Sequence, residues 1–388
     1  MGKGIHRTIA EINEKIKKGV AVVLNARDMA RLVREQGKVK AAEHVDIVTT
    51  GTFSPMCSSG LLFNIGQKPP TIKAGKVWLN GVPAYGGLAA VDAYLGATEP
   101  SEDDPLNKVF PGAFKYGGGH VIEDLVQGRK IFLKAWGYGT DCYPRKSLER
   151  DITLAELRSA VLLNPRNAYQ NYNCAVNKSD KLKYTYMGPL RPRMGNANFA
   201  TAGELSPLFN DPFFRTIGLG TRIFLGGGIG YVLGSGTQHD PRPKRNARGI
   251  PLSGSGTLMV KGDLKGMNPR YLRGVSLVGY GVSLAVGLGI PIPILDEDMA
   301  WFTGVSDEDI EMPVIDYGND YQLGNAKPLA HVTFAALKSG SIEVENKNVP
   351  AVPVTSHSIS LEIADSLKSW IDQGQFLLTE AQEPIESY

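Results

Sequence analysis

Apolar positions recur at helical spacing near the start of the chain. Ile9, Ile12 and Ile16 fall on one face, Thr8 stands where a cap is needed and Gly19 can end the helix. Residues 20–24 then read as a short buried strand, 27–36 as a second helix with Met29, Leu32 and Val33 on one side, and 45–50 as another strand. That order predicts a parallel strand pair joined by a right-handed crossover. Farther on, 75–119 is dense in turn signals between short strands, and 130–136 reads as a strand. Thr153 and Glu156 are spaced as a capping box for a helix over 153–162. Residues 221–225 and 274–294 look like buried strands, and 358–371 is an amphipathic helix. The expectation is an α/β fold, doubly wound, with a mostly parallel or mixed sheet and glycine-rich strand-end loops. No repeat, low-complexity tract or linker forces a cut, so 1–388 reads as one catalytic domain, with division into two sub-lobes left open.

Composition changes this picture little. The chain is 42% hydrophobic and 21% charged, with a net charge of +3, which does not mark a nucleic-acid protein. The strongest basic stretch, residues 242–248, has no aromatic neighbours to stack on bases and reads as a solvated loop. Glycine is the outlier, at 45 of 388 residues against an average near 7%. Its clusters at 117–119 and 226–230 suit tight turns or close backbone approach to a ligand.

The first residues, MGKGIHRTIAEINEKIKKG, hold no apolar core of a signal peptide. The uncharged run 274–295 could just span a bilayer by length, yet its glycines, serines and prolines suit a strand, a turn and a strand. A cytoplasmic protein is therefore expected, and three cysteines, an odd number, point to reduced thiols.

Common cofactor motifs are missing. None of the Gly-x-Gly pairs has a third glycine three positions on, and no Gly-Lys precedes Ser or Thr. The cysteines are too scattered to hold an iron–sulfur cluster and the histidines lack zinc spacing. The thiols carry the remaining chemical interest. Cys57 lies in a Ser/Gly loop after the strand at 45–50, the place where α/β sheets bind ligands. A helix starting near Ser58 would favour its thiolate. Cys142 also comes after a strand, with Arg145 and Lys146 downstream and Asp141 working against them. Loops on one face of a sheet can bring such residues together. Cys174, in an Asn-rich segment, reads as structural; a small buried hydrophobe is the bland alternative for each.

Four stretches carry more. They are VTTGTFSPMCSSG at 48–60, GYGTDC at 137–142, NPRNAYQNY at 164–172 and FLGGGIGYVLGSGTQH at 224–239. Together they resemble the homocysteine-biosynthesis family of methanogens and other anaerobes, whose members act as L-aspartate semialdehyde sulfurtransferases. The resemblance runs along nearly the whole chain and implies Cys57 and Cys142 as the functional cysteines. Many members carry C-terminal nucleotide-sensing CBS modules, which are not expected within these 388 residues. The opening elements also look faintly like a coenzyme A transferase.

The resemblance implies that aspartate semialdehyde, sulfide and two electrons yield homocysteine. No cofactor is bound by any motif, so the electrons are expected from a partner, in this family a small iron–sulfur protein. A persulfide on Cys57 or Cys142 would attack the aldehyde carbon, and reduction would release the product. Arg145, Arg166 and His239 are candidates for the substrate carboxylate or for proton transfer. A carboxylate-based coenzyme A transferase and a non-catalytic sulfur carrier are the alternatives. No nucleic-acid or membrane partner is expected, and self-association is left open.

Overall fold

The computed structural model describes residues 4–319, 321–324 and 326–386. The opening helix is Ile9–Lys17, with Thr8 and Glu11 forming a reciprocal capping box and Gly19 at φ +68° just beyond its end. Strand Val23–Asn25 comes next, then helix Ala26–His44, capped by Asn25 and running past the expected end through a break at Gly37. Strand Ile47–Thr49 pairs in parallel with Val23–Asn25, and Pro291–Pro293 adds an antiparallel third strand. The predicted strand–helix–strand unit is therefore present.

The class is α/β with mixed sheets, but the parallel pairs sit in small sheets. The largest sheet, thirteen strands among the described residues, is antiparallel throughout. From its middle to one edge it runs Leu258–Asp263, Ser159–Asn167, Gly60–Asn64, Asp92–Gly96, Val82–Gly86, Ala74–Leu79, Ile131–Gly137 and Ser147–Ile152. A further sheet carries Cys174–Val176 and Ala197–Phe199. Helix His357–Asp372 lies against the small three-stranded sheet and the Gly281–Gly289 strand, burying Ile363, Leu367 and Ile371.

Two expected helices are absent. The capping box of Thr153 and Glu156 forms, but it closes only the 3-10 turn Leu154–Glu156. The chain then enters strand Ser159–Asn167, in which Ala160, Leu162 and Asn164 are buried alternately, a period of two that outweighs the cap signal. No helix starts at Ser58; the chain turns there and enters strand Gly60–Asn64. Residues 274–295 fall in the strands Leu272–Leu277, Gly281–Gly289 and Pro291–Pro293 and the chain just beyond them. No helix among the described residues is long and apolar enough to cross a membrane.

The glycines resolve into packing and turns. Gly226 and Gly227 (φ +58° and +89°) make the two-residue turn between Arg222–Leu225 and Gly228–Ser235, which needs positive φ at both positions. Gly119, in helix Gly118–Val126, lets that helix touch the Gly281–Gly289 strand. A Cβ there would overlap the Ser283 carbonyl oxygen. Gly119→Ala is expected to destabilise the protein by about 3 kcal/mol, since backbone must move rather than a side chain. Urea unfolding measures it, and a change under about 1 kcal/mol would contradict the close packing.

Candidate functional site

Cys57 lies in the turn between strands Thr52–Pro55 and Gly60–Asn64, half-buried, and opens into a cavity of about 250 Å³. The first strand is held by the Gly281–Gly289 strand in the register Pro55 to Ala285 and Ser54 to Val286. That pairing brings Ser283 beneath the thiol, and its hydroxyl donates to Cys57 Sγ at 3.3 Å. The bond fixes the sulfur's direction and solvates negative charge on it. On the other side Asn164, fully buried, donates to Ser59 Oγ at 2.8 Å and accepts from the Arg166 amide at 3.1 Å. The amide side chain thus ties the cysteine loop to the end of the neighbouring strand, from which Arg166 projects.

Arg166 lines the cavity with Cys57. Its guanidinium donates to Gln238 Oε1 and sits over the Tyr169 ring, 5.5 Å from the centroid, while its Nε is buried without a hydrogen-bond partner. No carboxylate lines this cavity among the described residues. A fork of donors with no carboxylate beside it in the cavity lining is able to take a planar carboxylate.

The rest of the wall is phenolic: Tyr169, Tyr172, Tyr186, Tyr280 and Tyr321. Burial is the main cause that raises all the resolved phenol pKa values here, with Tyr172 at about 12. Tyr169 and Tyr280 line the same cavity as Cys57. Tyr169, Tyr172, Tyr186 and Tyr280 therefore stay neutral at ordinary pH. Sequence reasoning missed this cluster. The Ala-Tyr-Gln-Asn-Tyr run at 168–172 was in view, but Tyr186, Tyr280 and Tyr321 come from distant segments that no local pattern links.

The asparagine-rich run is scaffolding. Gln170 donates to the Leu208 and Pro212 carbonyls, and Asn171 to those of Pro251 and Glu311. These bonds tie the strand end to the segment around 208–212, to Pro251 and to strand Glu311–Asp316.

The other expected site residues do not meet here. Along the sheet Gly60 aligns with Gly96 and Leu79 with Leu133, whereas Asn64 aligns with Asp92 and Ala74 with Gly137. Cys142, in the hairpin turn after Gly137, therefore lies at the opposite end of the strands from Cys57, exposed. The four-residue step from Gly60 to Asn64 alone spans about 13 Å, well above the roughly 7 Å that a disulfide allows between Cα atoms. Convergence of the two thiols in one chain, expected from their strand-end positions, does not occur. In an antiparallel sheet, strands of opposite direction end on opposite edges.

Arg145 shares that far end, in a separate groove with Lys68, Arg150 and Arg158. His239 turns from the cavity: Nδ1 accepts from the Thr257 amide at 3.1 Å, leaving Nε2–H to donate to the Glu386 carbonyl at 3.0 Å. Its neighbour Gln238, at φ +62°, is the residue that reaches in. Cys174 is fully buried in the second sheet and its thiol pKa is pushed up to about 12 by burial, as a structural role requires.

The three free thiols should accordingly separate on alkylation with iodoacetamide at about pH 8, read by mass spectrometry. Cys142 is expected to react first, Cys57 next, and Cys174 only on unfolding, since roughly 10⁻⁴ of it is thiolate at that pH. Labelling of Cys174 in the native protein at a rate like that of Cys142 would contradict this order.

Comparison with known proteins shows the family. Residues 21–378 match the family model described as homocysteine biosynthesis enzyme, sulfur-incorporation. The L-aspartate semialdehyde sulfurtransferase of Methanocaldococcus jannaschii is 49% identical over 394 residues, covering 98% of this chain and 74% of that protein. The protein of the same name from Methanosarcina acetivorans is 48% identical over 383 residues, covering 98% of this chain and 72% of its own. No solved structure matches. With a family match over residues 21–378 and relatives 48–49% identical over 98% of its length, the chain belongs to the homocysteine-biosynthesis family of sulfur-incorporating enzymes.

Proposed function

We propose that this enzyme makes L-homoserine's thiol analogue, L-homocysteine, from L-aspartate semialdehyde, with Cys57 carrying the sulfur as a persulfide. The observation behind it is the pairing of Cys57 with Arg166 in a cavity that no carboxylate lines among the described residues. Arg166 takes the α-carboxylate of the amino-acid aldehyde as a bidentate partner, and the aldehyde end then faces the sulfur. Relatives 48–49% identical bear the name of this activity.

Atoms and electrons balance at each step. The Cys57 thiolate takes sulfane sulfur from a donor persulfide, giving Cys57–S–SH and the donor thiolate. The outer sulfur adds to the aldehyde carbon and the carbonyl oxygen takes up the persulfide proton, forming Cys57–S–S–CH(OH)–R. Two electrons and one proton cleave the S–S bond to the Cys57 thiolate and HS–CH(OH)–R. Loss of water gives R–CH=S, and two further electrons with two protons give R–CH2–SH. We assign the electrons to an external iron–sulfur protein. Ser283 holds the sulfur in place between steps.

The carboxylate-based coenzyme A transferase alternative finds no acid lining the cavity among the described residues. The test loads the protein with persulfide, adds L-aspartate semialdehyde and a strong reductant, and assays homocysteine in a single turnover. Wild type and Cys142→Ala are expected to form it and Cys57→Ala is not. Product from Cys57→Ala would overturn the assignment.

A further inference from the structure

The cavity offers a carboxylate a partner but gives an ammonium group no acid. Among its described lining residues there is no Asp or Glu, while five tyrosines surround the space. Resting on the reading that the substrate is an amino acid, we infer that its α-ammonium is bound by an aromatic cage of Tyr172, Tyr186, Tyr280 and Tyr321, and that this cage selects α-amino aldehydes over their deaminated counterparts.

The proton assignment of the phenols carries the inference. Tyr186 Oη lies within hydrogen-bond distance of three other phenols: Tyr172 at 2.7 Å, Tyr317 at 2.6 Å and Tyr321 at 2.7 Å. A phenol donates one proton and accepts two. Tyr317 gives its proton to Asn173 Oδ1 at 2.8 Å, so it can only accept from Tyr186. Tyr172 and Tyr321 must then donate to Tyr186. Every proton of the cluster runs inward, from cavity wall to Asn173, and the two outer phenol oxygens keep lone pairs for a donor.

The rings supply the second half. Tyr186 is tilted or edge-on to Tyr172, Tyr280 and Tyr321, with centroids 6.2, 6.0 and 6.5 Å away, and Tyr321 is stacked on Tyr317 at 3.9 Å and 9°. Non-parallel rings around one space turn faces and edges toward it, and the faces attract a cation. Arg166 already occupies the face of Tyr169, which assigns that end of the cavity to the carboxylate and leaves the other rings for the ammonium. An amino acid's two charges then fix its orientation, with the side-chain carbon left for Cys57.

Two unreactive analogues test the cage without turnover: L-homoserine, which has the ammonium, and 4-hydroxybutanoate, which lacks it. By calorimetry, wild type is expected to bind L-homoserine about 30-fold tighter. Tyr321→Leu should bring L-homoserine to within about threefold of 4-hydroxybutanoate and leave the latter within about twofold of its wild-type value. Tyr172→Phe, which keeps the ring and removes the oxygen, should weaken L-homoserine about fivefold. No binding of L-homoserine, equal affinities in wild type, or parallel weakening of both analogues would each overturn the cage. Discrimination without homocysteine formation in the turnover assay would instead remove the proposed reaction and leave the cage standing.

Discussion

Replacing Cys57 by alanine is expected to reduce homocysteine formation by at least about 10³-fold while leaving the protein folded. The sulfur is the atom that forms and breaks bonds in the proposed reaction, so its loss removes covalent catalysis rather than weakening it. The fold should tolerate the change, because the thiol is half-buried at a cavity wall and its hydrogen bond comes from one hydroxyl, Ser283. Melting temperature within a few degrees of wild type is the control. A Cys57→Ala protein that keeps more than about a tenth of wild-type turnover would move the chemistry elsewhere. Cys142, exposed in a turn at the far strand ends, would become the first place to look.

The second large effect belongs to Arg166. Arg166→Met keeps the stem length and removes the cation, and it is expected to raise KM for L-aspartate semialdehyde about 100- to 1000-fold, equivalent to about 3–4 kcal/mol of lost binding. The reason is that no carboxylate lines its cavity among the described residues: the guanidinium meets Gln238 Oε1 and Tyr169, and its buried Nε is unsatisfied. Arg166→Lys restores charge without the fork and should recover only part, leaving KM about tenfold high. Removing a partly desolvated cation that meets no carboxylate among the described residues should not destabilise the fold and is expected to hold or raise the melting temperature. Steady-state kinetics and a thermal melt read both. A KM unchanged in Arg166→Met would remove the carboxylate site.

These two residues were singled out by local sequence, and so were the elements with strong local signals. The Thr8–Glu11 capping box, the apolar face at Ile12 and Ile16, and helix His357–Asp372 arise from neighbours a few residues apart. The same holds for the strand Ile131–Gly137, whose buried and exposed residues alternate. Where two local signals competed, the sequence alone chose poorly. At Thr153 a genuine cap preceded a period-two pattern, and the strand took precedence because pairing with Gly60–Asn64 and Leu258–Asp263 buries Ala160 and Leu162.

The family was legible too, because motif runs survive as strings of residues. What the string itself determined was the family, the class of fold and the candidate residues for the chemistry. The register of an antiparallel sheet decided the rest. It sent Cys142 and Arg145 to one end of the strands and Cys57 with Arg166 to the other. Packing of that sheet against the smaller ones gathered tyrosines from separate segments of the chain around the thiol. Strand direction and long-range pairing are set by burial summed over the whole sheet, and no window of local sequence contains that sum.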